Sequence, residues 1–537
     1  MPYKVFIPTA GVGSRLNHLT KSLNKSLVAI ESRTILSLII DKFPSDTEFV
    51  IAVGYKADLV RQFLELAYSN TRIQIVNIDP YEGVGSGLGH TLMCCKQYLL
   101  EPFVFISCDT VVIDEIPPPT SNWMGYSAKV NEGTYRQLVV EDQCVTQILE
   151  QNSLLGDLTY SYIGLAGIHD FETFWETMSV GATEMIAIGE TYGLKALIAS
   201  GITAYQFDWF DTGNLPSLKI AKEYFKSPNS PHILEKENEA LWFSGNLVIK
   251  YSSDQDFIRD RLRRASVLAP YIPEINGATA NMYSYKFVDG VTLSRVVSPI
   301  VFQRFLGRAT QFWNEPVKAE ITSAEFKSIC LKFYHDKTND RVQQYLHNKG
   351  IADKDEIING VFVPRVSELI QLIDWDWISS GTQSNFHGDF HFENVILTSD
   401  NNFVFIDWRQ NFGGGIEVGD RYYDLAKILH GIIVSHQAVT NLQFSIKSDH
   451  DRKLMWINRK TELLQCEELY LTWLENEQYD VTKVQVLTAM IFLNIAPLHH
   501  SPYSEFLFAL GKRMLHDVLS GRPIIMSSTD TTSQITS

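Results

Sequence analysis

Over the first 225 positions, short apolar runs alternate with amphipathic stretches. Strand-like runs fall at 5–8, 49–53, 73–78 and 103–107, and helical periodicity covers 35–42 and 57–68. Strands alternating with helices predict an α/β domain at 1–225 built on a doubly wound, mostly parallel, Rossmann-like sheet. Such a sheet holds its ligand at the carboxyl ends of the strands. A further apolar run at 160–167 reads as a core strand. Lys226-Ser227-Pro228-Asn229-Ser230-Pro231 gathers proline, serine and asparagine and reads as a linker at 226–231.

After the linker the pattern changes. Strands at 241–244 and 246–251 meet at Gly245, a helix is expected at 256–268, and most of the remainder has helical periodicity. The exceptions are apolar runs at 395–397 and 403–406 beside an acidic turn. This predicts an α+β, two-lobed domain at 232–525, with a small lobe over about 232–290 and a helical lobe over about 291–525. The Ser/Thr-rich stretch 526–537 reads as a disordered tail, and no internal repeat is visible.

Candidate chemistry is densest in His387-Gly388-Asp389-Phe390-His391-Phe392-Glu393-Asn394, followed by Phe405-Ile406-Asp407-Trp408. A loop aspartate (Asp389) can accept the proton of an attacking hydroxyl. An asparagine five residues on (Asn394) can ligate Mg²⁺, and an aspartate after the next apolar strand (Asp407) can bridge metal and nucleotide phosphates. Phosphoryl transfer needs metals and positioned charge more than covalent work by the protein, so the triplet suffices at its core. Lys250 lies inside the apolar strand 247–251, where a kinase lysine reaches the ATP α/β-phosphates. The helix after it offers no glutamate as a partner; Arg264 stands near the expected place and Asp260 is the nearest acid.

These motifs, with GDRYYDLAKILHG from Gly419 to Gly431, resemble the aminoglycoside phosphotransferase and choline kinase-like family over 231–522. The resemblance implies a protein-kinase-like fold acting on small molecules, with ATP and Mg²⁺. It implies Asp389 as base, Asn394 and Asp407 as Mg²⁺ ligands and Asp424 as a buried support for the loop. The stretch 281–290, with Phe287, resembles the hinge strand whose backbone binds the adenine edge.

At the other end, the first strand runs into Ala10-Gly11-Val12-Gly13-Ser14-Arg15, then Asn24-Lys25-Ser26-Leu27. A glycine-rich turn after a strand lets backbone N–H groups approach phosphates. Arg15 and Lys25 can clamp a triphosphate and offset charge developing at its α-phosphorus. The pattern resembles the nucleotidyltransferases that join an NTP to a sugar-phosphate or alcohol-phosphate, over about 1–225. It implies Ala10, Gly11 and Gly13 at the nucleotide, and Ser86 and Gly87 of a second glycine-rich loop (83–89) at the base. It also implies Asp109 and Asp211 as carboxylates for a second Mg²⁺. Paired carboxylates from separate strands suit the octahedral, all-oxygen preference of that ion. Where the family carries prolines on both sides of its lysine, this chain has Asn24 and Ser26.

Composition narrows the partners. The chain has 537 residues, enough for two domains or three, and a formal charge of −16. That charge argues against nucleic acid, since no basic surplus is there to neutralise phosphates. The arginines at 259, 261, 263 and 264 fit a nucleotide or a solvated helix face equally well. The six cysteines show no metal-ligand spacing and fit reduced thiols in a cytoplasmic enzyme. No signal peptide and no apolar run of membrane-spanning length is read, so no membrane partner is expected. A homo-oligomer is compatible with the sequence.

A kinase makes a phosphate monoester and a nucleotidyltransferase consumes one. The fusion therefore suggests consecutive steps: phosphorylation of a small sugar or polyol by ATP, then coupling to CTP or UTP to give an activated precursor of surface polysaccharide. Choline kinase-like character makes an amino alcohol the alternative acceptor. A further alternative is one activity beside a regulatory, kinase-like half.

Overall fold

A computed structural model describes residues 3–128, 134–151, 158–226, 238–317 and 321–522. The linker expected at 226–231 and the tail at 526–537 lie almost wholly or wholly outside them. The chain divides into two compact units: Met1–Ile258 with Asn276–Phe287, and Arg259–Ile275 with Val288–Ser537.

The first unit is built on a nine-stranded mixed sheet. Arg72–Asn77, Glu48–Val53, Lys4–Pro8 and Phe103–Ile106 lie side by side and parallel, within a residue or two of the expected strands. Their cores, Val5-Phe6-Ile7, Val50-Ile51-Ala52 and Phe103-Val104-Phe105, are buried to 1% exposure or less. Such continuous apolar runs are what a parallel strand covered on both faces requires. Helices Ile35–Ile40 and Ala57–Ala67 follow strands as the pattern predicts. Thr159–Ile168 then adds antiparallel to Phe103–Ile106, and the sheet is mixed from there.

The strands Glu239–Ser244, Leu247–Ser252 and Met282–Lys286, which the sequence pattern assigns to the small lobe of the second domain, belong to this first unit. Trp242 is fully buried with its ring edge-on to Phe63 of the helix Ala57–Ala67, at 5.4 Å. Gln62 of the same helix accepts from Asn281 N and Thr279 Oγ1, both at 2.8 Å, and Tyr251 donates to Ser22 O at 2.7 Å. Ile249, Tyr251 and Met282 join one hydrophobic core with Val5, Ile51 and Phe63.

In the second unit, Val395–Thr398 and Phe403–Phe405 form the expected hairpin, with Gly290–Thr292 as a third strand. Residues 389–394 alternate. Phe390, Phe392 and Asn394 are buried, while Asp389, His391 and Glu393 are partly open. Phe390 packs on Phe405 at 4.7 Å and on Phe305 at 5.3 Å. Aromatic anchors thus fix the loop that presents Asp389. Contrary to the sequence reading, Val481–Leu498 is long and apolar enough to cross a membrane by length and composition, but 67% of it is buried inside the unit. It packs against Tyr503–Leu519 and Arg421–Ile433, so the length of the apolar run reflects a helix covered on several sides.

Candidate active sites

In the first unit, the carboxyl end of Lys4–Pro8 leads through Ala10, whose carbonyl accepts from Tyr55 N at 2.9 Å, into the glycine-rich turn. Gly11 is exposed. Gly13 has φ +69°, and a Cβ there would stand 2.9 Å from the Lys25 Cβ, so both conformation and packing call for glycine. Asn24 explains how the chain dispenses with the prolines. Fully buried, it donates to Thr9 O (3.0 Å) and Tyr55 O (2.7 Å) and accepts from Ser26 N (2.9 Å). Hydrogen bonds rather than a fixed φ hold Lys25 in place.

Lys25 Nζ lies 3.2 Å from Asp109 Oδ2, Arg15 Nη2 lies 3.9 Å from the same oxygen, and Ser107 Oγ donates to Asp109 Oδ1 at 2.6 Å. Asp211 closes the cluster. A Cβ on Gly213 would meet Asp109 Oδ2 at 2.9 Å, Asp211 Oδ1 at 3.1 Å and Arg15 Nη2 at 3.3 Å. Asp211 is itself oriented by Gly213 N (2.9 Å), Asn214 Nδ2 (2.7 Å) and Tyr135 OH (3.0 Å). The structure therefore brings Arg15, Lys25, Asp109 and Asp211 together. Burial alone would raise the Asp109 carboxyl, but the Lys25 ammonium, with Ser107 and Arg15, holds it below the ordinary range. Burial would likewise lower Lys25, but the Asp109 charge, Cys108 and the hydrogen bonds to both together raise the ammonium. Two converging carboxylates with only hard oxygen donors fit Mg²⁺.

Ser86 and Gly87 sit in a separate turn at the start of the helix Leu88–Cys95. Ser86 Oγ donates to Gly83 O at 2.7 Å, and a Cβ on Gly87 would stand 2.6 Å from Ile186 O. The sequence reading passed over Glu190. It is buried at the start of Glu190–Ala196, and burial, opposed by Arg136 and reinforced by the Asp109 charge, pushes its carboxyl up to about 7. Lys250 lies mid-strand between Leu241 and Tyr283, half-buried. The Phe287 amide donates to Asn246 O at 2.9 Å, and its half-exposed ring packs on Phe243 at 5.8 Å.

In the second unit, Asp389 Oδ1 is 2.9 Å from Lys427 Nζ, and Oδ2 is 3.6 Å from His391 Nε2. Asn394 Nδ2 donates to Asp389 O (2.9 Å) and Oδ2 (3.3 Å), which leaves the amide oxygen as the atom to offer a cation. Asp407, at φ +58°, places Oδ1 2.7 Å from Arg261 Nη1. An amide oxygen and a carboxylate are again hard donors that fit Mg²⁺. Burial would raise Asp389; the Lys427 ammonium, then His391, hold it well below the ordinary carboxylate range. His387 donates from Nε2 to Ile406 O (2.9 Å) and accepts from Asp389 N on Nδ1 (3.3 Å). Burial lowers it to about 3, so it stays neutral in that tautomer.

Asp424 is fully buried beneath the loop and accepts from His387 N (2.7 Å), Gly388 N (2.7 Å) and Trp313 Nε1 (3.0 Å). Asp424→Ala orphans three buried donors and should cost about 3–5 kcal/mol in denaturant or thermal unfolding. Burial lifts the Asp424 carboxyl to about 6 against the pull of those donors. Its folded value thus exceeds the unfolded one of about 3.9. The stability linked to its proton is present below about pH 4 and lost as pH rises toward about 6. The wild-type-minus-variant difference should therefore shrink across that window; a pH-independent difference would refute the raised carboxyl, and no loss of stability at any pH would refute the supporting role.

Residues 320–446 match the APH model, the phosphotransferase enzyme family. The C-terminal half carries an APH-type phosphotransferase domain. Among curated proteins, the chain is 25% identical over 254 residues to the bifunctional protein GlmU of Methanococcus vannielii, covering 45% of this chain and 59% of that one. It is 24% identical over 160 residues to the UTP–glucose-1-phosphate uridylyltransferase of Haemophilus ducreyi, covering 26% and 54%. The chain thus spans less than two thirds of either relative. Among solved structures, a UDP-glucose pyrophosphorylase with UDP-glucose aligns at 18% identity and TM-score 0.37, covering 42% of this chain and 98% of that one. A CTP:phosphocholine cytidylyltransferase from Streptococcus pneumoniae aligns at 17% and 0.36, covering 42% and 100%. The N-terminal region is nucleotidyltransferase-like.

In the phosphotransferase domain, the sequence reading missed Lys427, and it named Arg261 only within a run of arginines, without its partner Asp407. A lone lysine three residues after Asp424, inside the apolar run Leu425–Ile433 of Arg421–Ile433, was the available signal for the first. Arg264, the residue noticed instead, is fully buried, donates to the carbonyls of Phe386 and Ile416, and lies over the Phe386 ring at 3.7 Å.

Proposed function

We propose that the chain phosphorylates a small hydroxyl acceptor with ATP and then transfers a nucleotidyl group onto the new phosphate. The observation that carries this reading is the coexistence in one chain of two separate carboxylate sites, each with a lysine within 3.2 Å of its aspartate. In the first step the acceptor hydroxyl attacks the γ-phosphorus, the bond to the β,γ-bridging oxygen breaks, and ADP leaves. The hydroxyl proton passes to Asp389. So acidic a base accepts it late, which the loose transition state of phosphoryl transfer tolerates. Lys427 and Asn394 hold that carboxylate in place.

In the second step an oxygen of the phosphate monoester attacks the α-phosphorus of CTP or UTP, the bond to the β-phosphate oxygen breaks, and pyrophosphate leaves. The nucleophile is already anionic, so no general base is required. Arg15 and Lys25 neutralise charge at the α-phosphate. Mg²⁺ bound through Asp109 and Asp211, and through Asn394 and Asp407, supplies further neutralisation and phosphate orientation. The pairing of a small-molecule kinase with a sugar-phosphate-type nucleotidyltransferase supports a sugar or polyol acceptor and a role in surface polysaccharide.

Incubation with ATP, CTP or UTP and a panel of sugars, polyols and amino alcohols, followed by ³¹P NMR, should yield a pyrophosphate diester from one acceptor class. No diester from any of them would sink the two-step reading.

A further inference from the structure

A cavity of about 630 Å³ opens beside the phosphotransferase loop, lined by Lys332, Lys337, Arg341 and Arg409 together with Asp336 and Asp340. The four cations outnumber the two acids. Among the described residues none of the four has a carboxylate within 4.0 Å, whereas His335 Nδ1 engages Asp336 at 2.8 Å. This wall is built in a way that a solvated face is not. A π-helical segment, Lys332–Asp336, interrupts the helix just before Lys337 and rotates the following residues relative to a regular helix. Such insertions cost backbone regularity and cluster at functional sites. Lys337 Nζ lies over the Phe333 ring at 4.5 Å and the Tyr423 ring at 5.5 Å, and the Arg409 guanidinium lies over Phe333 at 5.1 Å. Two cations share one aromatic floor.

The cavity adjoins the reacting end. Arg409 N donates to His387 O at 2.9 Å, and a Cβ on Gly388 would stand 2.6 Å from the Arg409 Cβ, so Arg409 is stacked on the residue before Asp389. Tyr423 and Lys427 lie one turn apart on one helix. Tyr423 floors Lys337 and Lys427 grips Asp389, so one continuous wall links the cations to the base. Like charges held this close without carboxylate partners repel one another. Burial first, partly opposed by Tyr423 and reinforced by Arg409 and Lys427, draws the Lys337 ammonium down to about 8. A compact anion between them would relieve that cost.

Resting on the phosphotransferase reading above, we propose that the acceptor carries a compact oxyanion, a carboxylate or a phosphate, besides the hydroxyl that is phosphorylated, and that Lys337 and Arg409 hold it. A cationic amino alcohol is the wrong charge for this wall, and a neutral polyol leaves its cations unanswered.

ADP release by the full chain with ATP should be compared for matched acceptors: glycerol, glycerate, glycerol phosphate and ethanolamine. An acid should exceed glycerol in kcat/KM by about tenfold or more, the worth of one charge-assisted hydrogen bond. The carboxylate and phosphate arms identify which anion is taken. Lys337→Gln with Arg409→Gln should raise KM for the acid about tenfold or more and narrow the acid-to-neutral ratio, with a thermal melt confirming the fold. Glycerol or ethanolamine used as well as the acids, or all acceptors weakened alike by the variant, would overturn the proposal. Calorimetric titration of the same acids separates the two readings. Binding that the double variant loses, without turnover of any acceptor, supports the anion site and refutes its use in phosphorylating these acceptors; absence of binding at millimolar acid refutes the site itself.

Discussion

Asp389→Asn should abolish ADP formation from ATP and acceptor while leaving pyrophosphate release from NTP and a pre-phosphorylated acceptor intact. Loss of a general base is worth about 10²–10⁴-fold, and the amide also loses the charge that pairs with Lys427 at 2.9 Å. Lys427 is 9% exposed, so it keeps an uncompensated charge in the variant, but Asp389 is 37% exposed and water screens part of the cost. A stability loss of about 1–3 kcal/mol is expected, between the values for surface and buried pairs. A cooperative melt therefore has to accompany the kinetic measurement. Retention of more than about a tenth of the ADP rate would remove Asp389 from the catalytic step.

Asp109→Asn is the mirror experiment. It deletes the charge that Lys25 and Arg15 converge on and one of the two carboxylates flanking Gly213. Electrostatic groups of this kind are worth about 10²–10³-fold each. Nucleotidyl transfer should fall by at least that much, with ADP formation unchanged. The two variants together give a complementation test. Mixed in one tube, they should regenerate the final diester from acceptor, ATP and NTP, because the phosphate monoester made by one can be consumed by the other. If either substitution silences both partial reactions in a folded protein, the two sites do not act as separate steps.

Some of this was visible in the chain because the chemistry is local. Asp389 and Asn394 lie five residues apart in one loop, so their spacing could be read directly, although Asn394 proves to lie on the buried side with Phe390 and Phe392. Three of the four parallel strands were legible for a similar reason: a run buried on both faces is apolar throughout. Arg72–Asn77 is only partly buried and showed itself by the alternation of Ile73 and Ile75 with polar neighbours. What escaped depends on helix faces and distant packing. The helix Gln255–Leu268 carries several arginines, and no periodicity tells that Arg261 meets Asp407 while Arg264 turns to the carbonyls of Phe386 and Ile416. Lys427 reads as a solvated charge until the helix around it proves to be buried. The replacement of prolines near Lys25 looked like a loosened motif. Only the bonds of Asn24 to Thr9 and Tyr55 reveal a different restraint serving the same lysine.

The burial of Trp242 against Phe63 bears on how such a gene can be divided. A cut near codon 226 follows the compositional boundary, yet it would remove Trp242, Ile249, Tyr251 and Met282 from the core they share with the helix Ala57–Ala67. The fragment would present a raw apolar face to water, the usual prelude to aggregation. The hydrophobic interior thus runs past the compositional boundary, and dividing the chain there would call for a new polar surface as well as a new stop codon.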